Sequence, residues 1–356
     1  MKNITQKILY ITFFILFILF SIKNAEEYIT FHTEKRQNIE YQKSISDKLE
    51  KFSISDIKEI SNLSVYRTAD LSLLDKIVQE IDTANSRIYL ETYILTEKRV
   101  QEALKKAFYR WVDVQVVLEK NPYMAYSINN KSYNNLYNAW IPIAWSDPQD
   151  FSLNHSKFII VDSHFYISTW NFSYSTFKYN RDFFMKSNDP AILSILIEIF
   201  QHDFIWDEKN FYHPNIVLSP FSSRHYFYNY FQSAQKSIYL YFQYFKDDAL
   251  VNLLVEKQKE WVEIIAIIPE TALESNKEII EQMEKNGIIF HVMKKKKMHA
   301  KVIIIDELYW FIWSINFSSF SLDKNRELWL LFYNQNIIKE MIDYFQDDIA
   351  NNTVKK

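Results

Sequence analysis

The stretch His155-Ser156-Lys157-Phe158-Ile159-Ile160-Val161-Asp162 decides the fold, because it returns as His299-Ala300-Lys301-Val302-Ile303-Ile304-Ile305-Asp306. The residues between lysine and aspartate, FIIV and VIII, read as a buried β-strand. Side chains at i and i+2 of a strand share a face, so each His and Lys point together into one pocket. Each copy is followed by a polar turn, Ser168-Thr169-Trp170-Asn171 and Trp313-Ser314-Ile315-Asn316. Each then reaches a related tail, Asn180-Arg181-Asp182 and Asn325-Arg326-Glu327. A lone histidine beside an apolar run is usually structural. Two copies, each with an aspartate, a Ser/Thr-x-Asn turn and a carboxylate at matching distance, mark a chemical site.

The duplication extends outward from these motifs. Ser86–Glu119 aligns without a gap on Lys236–Pro269, so that Ile88 meets Ile238, Trp111 meets Trp261 and Val112 meets Val262. Each segment is a short apolar strand, an amphipathic helix and a second apolar strand. IFQHDF at 199–204 matches YFQDDI at 344–349, and each ends a helix. Asn188-Asp189-Pro190 opens the first of these with an N-cap and an N1 proline. The expected architecture is α/β, with two similar lobes at 63–212 and 213–350, each a mixed β-sheet flanked by helices. Residues 351–356 remain as a tail.

Composition narrows the class. The chain has 356 residues, 48% hydrophobic and 24% charged, enough for two lobes and inconsistent with disorder or collagen as the dominant state. Cysteine is absent, which excludes disulfides and thiolate metal sites. No cluster of metal ligands is visible either, and no cofactor is implied. The net charge of −3 argues against a surface built to coat nucleic acid. Lys2 and Lys7 precede an apolar run from Ile8 to Ile22. Residues 1–25 therefore read as a signal-anchor, with a cleaved signal peptide as the alternative, and the lobes face the extracytoplasmic side. Residues 26–62 are polar and charged and read as a stalk.

The doubled HxKxxxxD, followed by a GSxN-like turn, resembles the HKD signature of the phospholipase D superfamily. The resemblance covers about residues 63–350. It implies one active site built between two facing lobes, and a chain active as a monomer. It implies a phosphodiesterase that hydrolyses or transfers phospholipid headgroups through a phosphohistidine, without metal. One of His155 and His299 would attack and the other would serve as acid and base, with His155 the favoured nucleophile. Lys157 and Lys301 supply positive charge, and Asn171, Asn316, Thr169 and Ser314 donate to phosphate oxygens. Asp182 and Glu327 would fix the imidazole tautomers. Asp162 and Asp306 complete the signature and are expected to orient the strand–turn geometry rather than touch substrate. A nuclease of the same superfamily and a catalytically silent binding scaffold are the alternatives. The Lys294–Lys297 run ahead of His299 reads as a basic lip for an anionic headgroup. Tyr123, Tyr126, Tyr133 and Tyr137 are candidates to line a substrate entrance.

One count departs from any ordinary chain. Glycine averages about 7%, yet only Gly287 is present here, beside nine tryptophans. Trp313 stands where the signature has glycine. Trp111 and Trp261 sit where a helix C′ glycine belongs, and Trp140 matches Gly287 across the repeat. A genome that reads UGA as glycine would produce this pattern when its codons are rendered as tryptophan. On this reading Trp111, Trp140, Trp145, Trp170, Trp261, Trp310, Trp313 and Trp329 stand for glycines, and Trp206 is left open.

Overall fold

The computed structural model describes residues 40, 43–68, 71–147, 149, 151–207, 209–314 and 316–356, with the side chain of Trp313 excepted. The apolar run at 8–22 and most of the stalk lie outside the described residues. Among the described residues no helix is long and apolar enough to cross a membrane. Residues 43–50 form a helix within a unit that ends at Lys51, and Phe52–Lys356 form the second unit.

The second unit holds two mixed sheets of like topology. The first contains β1 (Ser64–Arg67), β2 (Arg87–Thr92), β3 (Asp113–Leu118), β4 (Ile143–Trp145), β5 (Lys157–Val161), β6 (His164–Ser168) and, beyond the short β7 (Asn180–Arg181), β8 (Phe183–Ser187). Its order is β1-β8-β6-β5-β2-β3-β4. The second sheet uses β9 (Ile216–Ser219), β10 (Ser237–Tyr241), β12 (Glu263–Pro269), β13 (Ile289–Met293), β15 (Val302–Ile305), β16 (Tyr309–Trp313), β18 (Glu327–Tyr333) and β19 (Thr353–Lys355). Short strands β11 (Phe245–Lys246), β14 (Lys297–Met298) and β17 (Phe317–Ser318) lie outside it. Its order, β9-β18-β16-β15-β10-β12-β13-β19, repeats the first with one edge strand added. That added strand comes from the expected tail, which pairs antiparallel with β13.

The strands FIIV and VIII are central and wholly buried, as their unbroken apolar sequence requires. Helices α1 (Leu71–Thr83), α2 (Lys98–Tyr109) and α3 (Pro190–Ile205) flank the first sheet. Helices α4 (Ser223–Ser233), α5 (Asp248–Lys259) and α6 (Gln335–Asn352) flank the second. Asp189 caps α3 through the amides of Ala191 and Ile192, with Pro190 in its first turn. Ile192, Leu196, Ile199 and Phe200 bury the face of α3 that the helical period selects. One apolar core runs through both lobes, where Phe183 meets Tyr241 and Trp310 edge-on. The end of the expected stalk also lies in this unit. Phe52, Ile57 and Ile60 are buried, and Lys58 exchanges two hydrogen bonds with Asn215.

Two crossed backbone contacts join the lobes. β7 pairs with β14, and Asn154 bridges Arg326. The His299 and Ala300 amides donate to the Arg181 carbonyl at 3.0 and 2.9 Å, and the His155 amide donates to the Arg326 carbonyl at 2.7 Å. Each tail therefore lies against the histidine segment of the opposite lobe.

Tryptophan carries the backbone that glycine ordinarily does. Trp111, Trp140, Trp206 and Trp261 have φ of 69°, 64°, 59° and 69°, beside 95° at Gly287. All five follow a helix, and the next amide reaches back to the carbonyl five residues earlier: Val112 to Ala107, Ile141 to Leu136, Asp207 to His202, Val262 to Lys257 and Ile288 to Met283. That is the Schellman ending, whose C′ residue is usually glycine. Trp206, left open on sequence grounds, belongs with them. Trp145, Trp170, Trp310 and Trp329 do not have positive φ. Trp145 stacks on Tyr133 at 4.0 Å and Trp329 packs edge-on to Phe227 at 4.3 Å. Trp170 and Trp310 are wholly buried, and neither indole N–H has an acceptor.

A non-glycine residue in the left-handed region costs roughly 1–2 kcal/mol. The indole at 111 is 94% exposed and recovers little through burial. Trp111→Gly, Trp140→Gly and Trp261→Gly should each stabilise the protein by about 1 kcal/mol, raising Tm by roughly 2–4 °C. A fall in Tm for all three, or UGG codons at these positions in the gene, would show that the tryptophans are native.

Candidate active site

The two motifs meet at the lobe interface. His155 and Lys157 enter from the start of β5, and His299 and Lys301 from the start of β15, on one side of their strands. His155 Nδ1 lies 2.8 Å from Glu327 Oε2, and His299 Nδ1 lies 3.0 Å from Asp182 Oδ1. The pairing is crossed, so each histidine takes its carboxylate from the other lobe. A carboxylate on Nδ1 holds the proton there and leaves Nε2 with its lone pair. Both carboxylates are fully buried. Thr169 donates to Asp182 at 2.7 Å, and Ser314 holds the equivalent place beside Glu327.

Both lysines are buried at the floor, and each ammonium donates to the carbonyl of its own motif histidine, at 2.6 and 2.8 Å. Burial drives the ionisation of this cluster. It pushes His155 down to about 4, against the opposing pull of Glu327, and it lowers His299 as well. Burial also lowers Lys157 strongly and Lys301 to about 8. Asp182 and Glu327 resist burial because their histidines and the lysines hold both carboxyls below the usual range. Charges of both lobes act on both halves: Lys301 bears on His155, and Lys157 bears on His299.

Asp162 and Asp306 stand at the far ends of their strands. Asp162 accepts from the amides of Asn85, Ser86 and Arg87, and Asp306 from those of Gln235, Lys236 and Ser237. They anchor the start of β2 and β10 and do not reach the histidines. Asn171 and Asn316 lie on the turns after β6 and β16, with each amide oxygen buried and without a donor. Tyr133 is packed between Tyr137 and Trp145, whereas Tyr123 and Tyr126 are exposed. In the basic run Lys294, Lys295 and Lys297 are exposed ahead of His299.

Two residues beside the site are not marked by the sequence motifs. Tyr93 packs edge-on to His155 at 4.5 Å, lies under Lys157 at 5.1 Å, and accepts from the Tyr123 amide at 2.5 Å. The matching position in lobe 2 is Gln243, whose amide oxygen accepts from Lys301 at 3.0 Å. The aligned repeats place them opposite one another just beyond the shared strand core, but as unlike residues they carry no shared motif.

The family model described as "Cardiolipin synthase, PLD-like domain" matches twice, over residues 77–204 and 227–349. The chain belongs to this phospholipase D-like family. Its architecture is similar to that of phosphatidylserine synthase from Haemophilus influenzae, at 12% identity and TM-score 0.67, over 84% of this chain and 88% of that one. It is similar also to polyphosphate kinase from Porphyromonas gingivalis, at 15% identity and TM-score 0.67, over 83% of this chain. The alignment spans 48%, about half, of that kinase. No curated protein sequence matches the chain. The phospholipase D-like family supports a phosphodiesterase-like enzyme, related to the lipid synthases.

The depressed imidazoles make stability depend on pH. Below the ordinary histidine value of about 6.5 the unfolded chain binds protons that folded His155 refuses until about 4. Stability is therefore present above about 6.5 and lost as pH falls toward 4, by an amount on the order of 3 kcal/mol. The depressed Asp182 and Glu327 add a loss of the same sign at lower pH. Urea unfolding between pH 7.5 and 4.5 should show this decline, and His155→Asn should flatten it. A slope identical in His155→Asn would contradict the assignment.

Proposed function

We propose that the protein is a phospholipid phosphodiesterase that works through a phosphohistidine intermediate and cleaves or exchanges the headgroup. The observation that carries this reading is the crossed histidine–carboxylate geometry above two buried lysines. A phosphodiester is anionic, and a neutral imidazole attacks it without charge repulsion. His155, the ring held neutral most strongly, is the nucleophile. Its Nε2 attacks phosphorus, a P–N bond forms and the bond to the leaving oxygen breaks. His299 gives that oxygen a proton; the bound phosphate's negative charge raises the ring's proton affinity beforehand. Water or an alcohol then attacks phosphorus and gives its proton to His299, and the P–N bond breaks. Lys157, Lys301, Asn171 and Asn316 meet the charge that develops on the equatorial oxygens. Thr169 and Ser314 act through the carboxylates they touch.

The lipid class is supported by the family's description and by the apolar segment at 8–22, which would hold the lobes beside a bilayer on its extracytoplasmic face. A nuclease is the second reading, favoured only by the exposed lysines before His299. The net negative charge weighs against it, since nonspecific nucleic-acid binding is largely electrostatic.

Purified protein offered labelled phosphatidylglycerol, phosphatidylcholine and plasmid DNA in parallel should turn over phospholipid. His155→Ala and His299→Ala should each reduce turnover by at least about a thousandfold, because nucleophile and acid act as a unit. EDTA should leave the rate unchanged. Turnover of DNA alone establishes the nuclease, and full activity in either histidine variant overturns the mechanism.

A further inference from the structure

Between the asparagine and the carboxylate of each tail stands an arginine that does not reach the histidines. Arg181 Nη2 donates to Asp348 Oδ1 at 2.8 Å, and Nη1 donates to the Thr68 carbonyl. Arg326 donates from Nε and Nη2 to the two oxygens of Asp203 at 2.9 and 2.8 Å. Both pairs are buried, and both cross from one lobe to a helix of the other: Asp348 lies on α6 and Asp203 on α3. These aspartates sit in the repeated hexapeptides IFQHDF and YFQDDI. Each tail is thus held at three successive levels. Its backbone lies on the opposite HxK segment, its arginine grips the opposite helix, and its carboxylate meets the opposite histidine.

The Asp203 grip is two-pronged, whereas Asp348 takes one bond from Arg181 and a further one from Asn352 Nδ2 at 2.9 Å. The difference that bears on charge is a third group. Tyr241, on β10, donates its hydroxyl to Asp348 Oδ2 at 2.8 Å. The matching position on β2 is Glu91, which is fully buried and faces Asp203. Glu91 Oε1 accepts from Asn154 Nδ2 at 2.9 Å, while Oε2 is buried with no donor. Two ionised carboxylates facing one arginine would leave a buried negative charge uncompensated, which is costly. A proton on Oε2, shared with Asp203, removes the excess.

We propose that Arg181–Asp348 and Arg326–Asp203 position the two tails against the histidines, and that Glu91 is a neutral carboxylic acid donating to Asp203 as Tyr241 donates to Asp348. Each cluster then balances one arginine against one carboxylate, with Glu91 or Tyr241 as a neutral donor to the aspartate and Asn352 as a second one to Asp348. Burial and the charge of Asp203 both push Glu91 well above the ordinary carboxyl range, while Arg326 pulls the other way. Because Arg326 precedes Glu327, the Asp203 grip serves His155. By the same logic the Asp348 grip serves His299.

The activity arm of the test rests on the proposed phosphodiesterase function, and the spectroscopic arms do not. At pH 7 the infrared difference between wild type and Glu91→Gln should contain the stretch of a protonated carboxyl; a carboxylate pair of bands there overturns the assignment. With ¹⁵N-histidine label, Asp203→Asn should shift the ring resonances of His155 and leave His299, whereas Asp348→Asn should do the reverse. In each, kcat should fall roughly ten- to a hundredfold with KM within about twofold, since small misplacements near the chemistry are costly. If either variant fails to fold, Arg326→Lys and Arg181→Lys keep the charge but lose the fork, and should give the same selective shifts. Rings that stay put in every folded variant, or that move together, overturn the positioning role. A wild type inactive on every diester would refute the proposed function, and the infrared and ¹⁵N results would still decide the positioning role on their own.

Discussion

The exchange of carboxylates between lobes is the constraint on which the interface depends. Asp182 is buried against His299, and Glu327 against His155. Neither carboxylate tolerates the interior without its partner, because removing one member of a buried pair costs about 3–5 kcal/mol. A single lobe would present a buried acid with no histidine and a histidine with no acid. The site therefore needs two lobes, and they must dock in one register. The backbone enforces that register before the side chains do, since β7 lies on β14 and Asn154 on Arg326.

The same burial sets the electrostatics. Lys157 and Lys301 oppose Asp182 and Glu327, and both rings are biased toward neutrality. The resting cluster is close to balanced, its ammonium groups donating to carbonyl and amide oxygens while Lys157 also lies over the Tyr93 ring. On the proposed function, an incoming phosphodiester brings the negative charge that the lysines lack at close range. Binding then strengthens the lysine charges and the proton on the acid histidine together, because each is favoured by an anion nearby. The site is assembled for a ligand of one sign.

Much of this was legible in the sequence. Unbroken apolar runs marked the central strands, alternation put His and Lys on one face, and Asp189-Pro190 marked the start of a helix. The repeat also announced its own helix endings, since one glycine and three tryptophans fell at equivalent places. Trp206 was harder because its lobe 2 counterpart lies inside α6, which runs on to Asn352. The crossing of Asp182 and Glu327 could not be read, because nothing local distinguishes a tail that returns to its own histidine from one that reaches the other. Glu91 and Tyr93 were hidden for another reason. They lie where the two copies disagree, and a repeat marks its chemistry only where its copies agree.

On the proposed mechanism, those disagreements separate the two acts of a duplicated site. A perfectly symmetric pair of histidines would share one proton affinity, and neither would be favoured as nucleophile or as acid. Here Tyr93 covers one face of His155 and leaves Lys157 over a ring, whereas Gln243 gives Lys301 a hydrogen-bond acceptor. Burial, to which the Tyr93 ring contributes contact, keeps the His155 ring neutral. Burial lowers both lysines, Lys157 further, and Lys301 is the like charge that pushes Lys157 down as well. The deeper substitution, glutamic acid for tyrosine at 91 and 241, changes the donor without changing the charge of either interlobe cluster once Glu91 carries its proton. On that reading the differences beside the lysines separate the two roles, and the difference beside the arginines is compensated, because an unbalanced buried charge there would weaken the lobe interface.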